Sequence, residues 1–336
     1  MANNVFGIDL GTYNIRIYSG HNESVIIEKN MIAIENKVNL FAFGDSAFEM
    51  YEKAPANIQT SFPLTNGVIA DIKNMQILIK SFIEIASKNN YKNSDFYISV
   101  PTDITEVEKR AFYDLIKESK LKARNIYMVE KAVADGIGLG VDVKSSQGMM
   151  VVDVGYNTTE ISVISLGGIV LSKLIKTGGF KFDDVIRNTV RREYSLVIGA
   201  KSAEKLKISL AELKKKNEPA YVYGRDIVSG LPMEREVSIS LIEDSLKEHF
   251  KMIVDNVKQI LERTPPELAA DIYRNGLFLT GGGSLVSDFG INLANGTGLK
   301  VNLAPDAIES VIQGIAEISK NDRFKSVAYT IDRMEG

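Results

Sequence analysis

One short sequence pattern occurs twice in this chain and predicts a duplicated fold. Each copy is an apolar run that ends in Asp-x-Gly, then a polar turn and a second alternating run; the copies begin at Phe6 and Val151. The pattern predicts a β-hairpin whose turn carries a carboxylate, glycine-backed N–H groups and a hydroxyl. Most single Asp-x-Gly turns are plain hairpin turns, but Asp9 and Asp153 occupy the same position in both copies. The repeat therefore predicts one such turn in each half.

Two such turns that face each other can hold a Mg²⁺-polyphosphate from both sides. Backbone N–H groups in concave turns bind phosphate oxygens, and carboxylates reach the hydrated metal ion. A third signal is the predicted strand 276–280, which runs into Gly281, Gly282, Gly283 and Ser284. Glycines let the backbone approach a ligand where a Cβ atom would clash. A glycine-rich loop alone is usually a tight turn, but after the two paired turns it favours a nucleotide site.

Composition sets the size of the core and excludes several kinds of partner. With 336 residues, 45% of them apolar, the chain is expected to form two domains or lobes. A net charge of −3 gives no electrostatic footprint for nucleic acid. The absence of cysteine excludes disulfides and fits a reducing cytosol. Because no secretory leader precedes Phe6 and no apolar run could span a membrane, we expect a cytoplasmic protein.

Both halves mix hairpins with helix–strand crossovers, which predicts α/β lobes with mixed sheets and a ligand cleft between them. A helix is predicted over 105–118, capped at Asp103 or Thr105. Its apolar face is expected to comprise Val107, Ala111, Leu115 and Ile116. Residues 41–72 are predicted to be largely irregular.

Six motifs resemble the actin, Hsp70 and sugar kinase superfamily and, within it, the MreB family of filament-forming bacterial actins. They are Gly7–Asn14, Asn66–Asp71, Val107–Ala111, Val151–Gly155, Thr264–Leu268 and Leu279–Leu285. The resemblance implies an actin-like α/β fold of two lobes on a duplicated ribonuclease H-like core, with the nucleotide in the interlobe cleft. It implies that lobe I comprises 1–145 plus 319–336, with an outer subdomain at about 33–65. Lobe II would comprise 146–318, with an outer subdomain at about 183–245.

The resemblance also assigns site residues by position. It implies that Asp9 and Asp153 contact Mg²⁺ through water. It places ATP or ADP against Gly11, Thr12, Tyr13, Asn14, Gly155, Tyr156, Asn157, Thr158, Glu204, Lys207, Gly281, Gly282, Gly283 and Ser284. From the residues alone, Glu204 and Lys207 are equally explained as an ordinary i, i+3 surface ion pair.

Three residues depart from the family pattern at the phosphates. The second turn usually has Asp-Ile-Gly-Gly-Gly-Thr-Thr-Glu, but here Tyr156 and Asn157 replace two glycines. In the first turn Tyr13 stands where alanine is usual. These side chains lie where bare backbone normally meets phosphate, so an altered affinity or geometry is expected.

A further departure concerns hydrolysis. The family's second Glu in an Ile-Glu-Glu-Pro segment orients and deprotonates the attacking water, and Lys131 occupies its place. An ammonium with a pKa of roughly 10.4 has no lone pair at pH 7. Lys131 could act as a base only if burial lowered its pKa by several units, or it could instead pair with phosphate. Thr158 aligns with a threonine that helps to position the water, so we predict an impaired catalytic pair and weak ATP hydrolysis.

The resemblance implies self-association as the main partner interaction. It predicts head-to-tail protofilaments, paired through helix 105–118, with related paralogues as further partners and a role in cell shape or motility. Residues 1–4 are too short for a membrane helix, and the loop 89–95 lacks an adjacent apolar pair. Tyr91 and Lys92 could touch an interface weakly, so membrane contact at the inner face is expected to be weak or indirect. For the tail 320–336, docking, membrane contact and a packed or frayed terminus all stay open.

Two other interpretations belong to the same superfamily. A sugar or acetate-type kinase would need a base facing an acceptor substrate and usually longer insertions, and neither is visible. An Hsp70-like nucleotide module would be followed by a substrate-binding segment, and none follows Gly281–Ser284.

Overall fold

The first half of the chain builds a five-stranded mixed sheet. The computed structural model describes residues 4–88 and 90–331. The elements of this half are β1 (Val5–Leu10), β2 (Asn14–Ser19), β3 (Ser24–Lys29), β4 (Ile32–Glu35), β5 (Asn39–Phe43), α1 (Asp45–Met50), β6 (Ile58–Ser61), β7 (Leu64–Thr65), β8 (Val68–Ile69), α2 (Ile72–Ser87), β9 (Asp95–Val100), α3 (Glu106–Glu118), β10 (Asn125–Glu130) and α4 (Lys131–Gly138). The strand order of the main sheet is β3-β2-β1-β9-β10.

The second half builds a sheet of the same kind. Its elements are β11 (Met149–Val154), β12 (Thr159–Ser165), β13 (Gly168–Ile175), α5 (Gly179–Tyr194), β14 (Leu196–Val197), α6 (Ala200–Lys216), β15 (Ala220–Asp226), β16 (Pro232–Val237), α7 (Ile239–Arg263), α8 (Pro266–Asn275), β17 (Leu277–Thr280), α9 (Phe289–Thr297), β18 (Val301–Leu303) and α10 (Ser310–Lys320). The strand order is β13-β12-β11-β17-β18. A short 3₁₀ turn, Gly282–Leu285, comes just after β17, and another, Lys325–Val327, comes after α10.

The two sheets share one topology. In each, the first three strands are antiparallel hairpins and the last two run parallel to the central strand. Asp9 is the fifth residue of β1 and pairs with Arg16, and Asp153 is the fifth residue of β11 and pairs with Glu160. The predicted duplicated α/β core is therefore confirmed, down to the register of the two Asp-x-Gly turns.

Helices α4 and α10 cross between the two sheets at very short range. A Cβ atom on Gly138 would lie 1.8 Å from the carbonyl oxygen of Ser310, and one on Gly314 would lie 1.8 Å from that of Ala134. Only glycine fits at either position, so backbone packs on backbone. Because α10 also packs on β1, this crossing joins the two halves.

Two smaller sheets extend the halves outward, β5-β4-β6 in the first and β14-β15-β16 in the second. The prediction that 41–72 is largely irregular is wrong, because this region contains α1 and β6–β8. Its elements are six residues or shorter, too short to show a periodic pattern. The exact lobe and subdomain boundaries stay a prediction.

Helix α3 begins where the sequence indicated and buries the predicted Leu115 and Ile116, but its buried face differs from the prediction at two positions. Thr105 caps it in a capping box with Glu108. The prediction that Val107 belongs to the apolar face is wrong, since Val107 is 81% exposed, and the buried positions are Phe112, Leu115 and Ile116. Phe112 packs in the core because it shares a helical stripe with Leu115 and Ile116.

Candidate functional site

A cavity of about 380 Å³ lies between the two main sheets, where both Asp-x-Gly turns meet. The predicted site residues that line it are Asp9, Gly11, Thr12, Tyr13, Asn14, Lys131, Asp153, Gly155, Tyr156, Thr158, Glu204, Lys207, Gly281, Gly282 and Gly283. Asn157 and Ser284 do not line it. Ser284 is buried, and its hydroxyl donates to the carbonyl oxygen of Gly281 at 2.6 Å.

Each of the three loops contains a glycine at which the backbone approaches its neighbours closely. A Cβ atom on Gly11 would lie 2.6 Å from the carbonyl oxygen of Asn14, and one on Gly155 would lie 3.0 Å from that of Thr158. Gly281 has φ +83°, and its Cβ would lie 2.1 Å from Oδ1 of Asp153. The glycine-rich loop is thus packed directly against the second Asp-x-Gly turn.

Asp9 is buried and fully engaged by the protein. Its Oδ1 accepts a hydrogen bond from the Ser99 hydroxyl at 3.0 Å, and its Oδ2 accepts one from Nη1 of Arg16, also at 3.0 Å. Arg16 is the cross-strand partner of Asp9. Sequence reasoning missed Arg16, although its position opposite Asp9 in the predicted hairpin was the signal that could have found it.

Asp153 is bound by Lys131, the first residue of α4. The Nζ atom of Lys131 lies 2.5 Å from Oδ2 of Asp153. Burial lowers the pKa of Lys131, but the carboxylates of Asp153 and Asp9 outweigh it and raise the pKa well above its usual range. The neighbouring carboxylates thus favour a charged Lys131 over the alternative in which burial lowers its pKa enough to create a base.

Within the described residues, the surroundings of Asp9 and Asp153 do not supply a set of protein ligands that would hold a divalent cation directly. Over residues 4–88 and 90–331, no group of three or more His, Cys, Asp or Glu side chains is placed to hold a metal ion. Each of the two carboxylates already holds a cationic side chain, Arg16 or Lys131. The Mg²⁺ role of Asp9 and Asp153 stays a prediction.

Glu204 and Lys207 do not form the plain surface pair. Glu204 accepts a hydrogen bond from the Tyr13 hydroxyl at 2.5 Å. Lys207 is buried, with its Nζ 2.8 Å from Oδ1 of Asp183. Burial raises the pKa of Asp183 to about 6, although Lys207 opposes the shift. Both side chains thus contact other elements around the cavity, and Asp183, which does not itself line the cavity, is a partner of Lys207 that the sequence reasoning missed.

Tyr13 and Tyr156, two of the departures from the family pattern, meet each other. Their ring centroids are 4.4 Å apart, although Tyr13 follows β1 and Tyr156 follows β11. Phe62 packs on both rings, and Phe48 and Phe180 extend the cluster. An aromatic contact therefore bridges the two halves beside the cavity.

The outer parts of the two halves also touch. Oε2 of Glu52 accepts a hydrogen bond from the backbone N–H of Ala200 at 2.8 Å, and Oε1 lies 3.7 Å from Arg187. Lys201 donates to the carbonyl oxygen of Phe48. The cleft is closed at its mouth as well as at its base.

Comparisons with known proteins agree with this architecture. The family model MreB/Mbl protein matches residues 3–326. The cell shape-determining protein Mbl of Bacillus subtilis is 38% identical over 321 residues, covering 94% of this chain and 95% of that relative. MreB5 of Spiroplasma citri, solved with AMPPNP and with ADP, has TM-scores of 0.90 and 0.89 at 35% identity, covering 97% of this chain and 98% of that one.

A likeness to a more distant protein shows the fold alone. The MamK double helical filament has a TM-score of 0.77 at 20% identity and covers 94% of this chain and 98% of its own. Together with the MreB5 structures, it confirms the predicted actin-like fold. The match to family and relatives favours the MreB interpretation over the kinase and Hsp70-like ones. The chain belongs to the MreB/Mbl family.

Proposed function

We propose that this protein is an ATP-binding bacterial actin homologue that polymerises into filaments and serves cell shape or motility. The observation that carries the proposal is the single cavity lined by both Asp-x-Gly turns and the glycine-rich loop. Family members support it, because MreB5 was solved with AMPPNP and with ADP and the Mbl relative is named as cell shape-determining. The proposed nucleotide contacts are the cavity-lining residues of these loops together with Glu204 and Lys207.

Filament formation is tested by electron microscopy and sedimentation with and without ATP or AMPPNP. We expect nucleotide-dependent head-to-tail protofilaments that pair side by side. Pairing through α3 is proposed from the family resemblance at Val107–Ala111, where Val107 is exposed on the helix surface. A protein that stays monomeric at high concentration with ATP would overturn the filament proposal.

ATP hydrolysis is proposed to be slow, because Lys131 stands at the place of the water-activating Glu and is held by Asp153. Thr158 remains in the cavity and retains its proposed role in positioning the water. Restoring the carboxylate with Lys131→Glu should raise the rate of phosphate release at least about tenfold, since a positioned general base typically contributes about 10²–10⁴-fold. Lys205→Glu, on the exposed face of α6, is the matched control and should leave the rate unchanged.

The proposed defect would be contradicted if wild type and Lys131→Glu released phosphate at the same rate and that rate matched MreB proteins that carry the Glu. Slow turnover in both proteins would instead assign the defect to the altered phosphate turns at Tyr13 and Tyr156. Single-turnover phosphate release separates these outcomes from slow product release.

Membrane contact is proposed to be weak or indirect, with the protein in the cytoplasm or at the inner face of the membrane. No helix among residues 4–88 and 90–331 is long and apolar enough to cross a bilayer. Tyr91, one of the two residues expected to touch an interface, is buried and its hydroxyl donates to Glu84 at 3.1 Å. The N-terminal residues 1–3, Asn89 and the tail 332–336, on which part of the membrane prediction rests, lie outside the described residues. Co-sedimentation with liposomes, alone and with MreB paralogues present, tests this proposal.

A further inference from the structure

The two carboxylates that face the cavity from the Asp-x-Gly turns are each paired with a cation of the chain itself. Lys131 Nζ lies 2.5 Å from Asp153, and Arg16 Nη1 lies 3.0 Å from Asp9. The side chains of Lys131 and Arg16 are only 21% and 11% exposed, so both pairs are largely shielded from water. Such pairs are not the weakly held ion pairs of an open surface.

The two paired carboxylates are each matched by a cation of the chain, and Glu160 and Asp135 are further carboxyl groups near Lys131. Asp9 and Asp153 contribute two negative charges, and Arg16 and Lys131 contribute two positive ones. A divalent cation between the carboxylates would have to displace Lys131 or lie close to its ammonium, and like charges at short range in a shielded site repel strongly. The site therefore disfavours the ion that the two carboxylates would otherwise attract.

Lys131 is also placed to do part of what a divalent cation does for a polyphosphate. It lines the cavity together with the glycines of both turns, whose backbone N–H groups are the phosphate donors of such loops. A lysine ammonium is a compact point charge with three donors, and Asp153 engages one side of it. The ammonium can thus face Asp153 and a phosphate oxygen at once, as a metal ion bound through water would.

Polar contacts made by α4 one turn beyond Lys131 fix the position of this helix. Asp135, one turn further along α4, is fully buried and accepts a hydrogen bond from the Ser310 hydroxyl at 2.6 Å. Ser310 in turn bonds the hydroxyl of Thr280, the residue before the glycine-rich loop, at 2.6 Å. This chain of polar contacts fixes the start of α4 relative to the loop on the other side of the cavity.

We propose that Lys131, assisted by Arg16, takes the place of the divalent cation, so that this protein binds a nucleoside triphosphate without requiring a metal ion. The inference rests on the proposed nucleotide-binding function and specifies the charge state of its ligand. It also gives the replacement of the catalytic Glu by Lys131 a second consequence, since the same side chain removes a base and supplies a cation.

The test is the affinity for ATP, measured by isothermal titration calorimetry or by competition with a fluorescent ATP analogue, in excess MgCl₂ and in excess EDTA. We expect the wild-type Kd to differ by less than about threefold between the two conditions. Lys131→Met keeps the aliphatic stem but removes the ammonium, so its affinity in EDTA should fall by about tenfold or more and be partly restored by Mg²⁺. Lys131→Arg, which keeps the cation, should remain independent of the metal.

Lys205→Met on exposed α6 is the matched control and should behave as the wild type. Wild-type binding that needs Mg²⁺ would overturn the inference and leave the nucleotide function intact. Absence of binding in both conditions would overturn the proposed function itself. The wild-type comparison decides even if Lys131→Met does not fold, which circular dichroism will show.

Discussion

At the scale of single residues, the buried pair of Asp183 and Lys207 shows how the site depends on pH. Both side chains are buried, and burial raises the pKa of Asp183 to about 6 from an ordinary value of 3.8. The carboxyl group of Asp183 therefore binds its proton more tightly in the folded protein than in the unfolded chain. The resulting stabilisation is complete below the ordinary pKa and is lost as the pH rises through about 6.

Asp183→Asn should flatten this part of the pH profile. The rise from 3.8 to about 6 corresponds to about 3 kcal/mol of pH-dependent stability, which the amide lacks. Because the amide is neutral like the protonated carboxyl, the variant should keep its stability as the pH rises through about 6 and should be more stable than the wild type above that pH by up to about 3 kcal/mol. Urea unfolding from about pH 4 to about pH 8 measures both effects. Asp184→Asn on the same helix is the control, and an unchanged slope in Asp183→Asn would refute the assignment.

Residues that belong to a local pattern could be predicted from the sequence, and their partners across the fold could not. The Asp-x-Gly turns and the glycine-rich loop can be recognised from the spacing of their residues in the sequence. The structure brings all three to one cavity. Asp183 could not be found in this way, because its partner Lys207 lies on another helix and helix–helix packing selects the pair. Lys131 was noticed only because a family pattern exists, and its bond to Asp153 depends on the meeting of α4 with β11.

At the scale of elements, the crossing of α4 and α10 is the most demanding contact in the fold. Each helix presents a glycine to the backbone of the other, and the two contacts are nearly symmetric. No local pattern in the sequence indicated this crossing. Long helices such as α7 can be predicted from the periodicity of their apolar side chains. A glycine at a close backbone–backbone contact adds no side chain to such a pattern, so the contact cannot be predicted in this way.

Gly138→Ala should therefore be strongly destabilising. The added Cβ would overlap the carbonyl oxygen of Ser310, a backbone atom that can move only if the helices separate. We expect a loss of about 3 kcal/mol or more in the free energy of unfolding. Gly290→Ala in α9 is the matched control, since its Cβ would make only an ordinary contact at 3.7 Å. The control should be neutral or slightly stabilising because alanine favours a helix, and equal effects of the two substitutions would contradict the close crossing.

At the scale of the whole molecule, contacts at several points around the cavity hold the two halves together. The α4–α10 crossing joins them at the base, Tyr13 and Tyr156 meet beside the cavity, and Glu52 reaches across the mouth. The duplication and the cleft could be predicted from the repeated pattern. The closure could not, since it depends on contacts between side chains that are far apart in sequence.

Glu52 is the point at which this closure can be tested without touching the nucleotide contacts. Its carboxylate caps the first N–H of α6 from the opposite half and lies near Arg187. A helix cap contributes about 1 kcal/mol, so Glu52→Ala should favour the open cleft by about fivefold. We expect a larger radius of gyration in X-ray scattering without nucleotide and faster release of a fluorescent ATP analogue. Glu262→Ala, exposed on α7, should change neither quantity. If Glu52→Ala also leaves both unchanged, the cleft is held by the Tyr13–Tyr156 contact and the helix crossing rather than by the contact at its mouth.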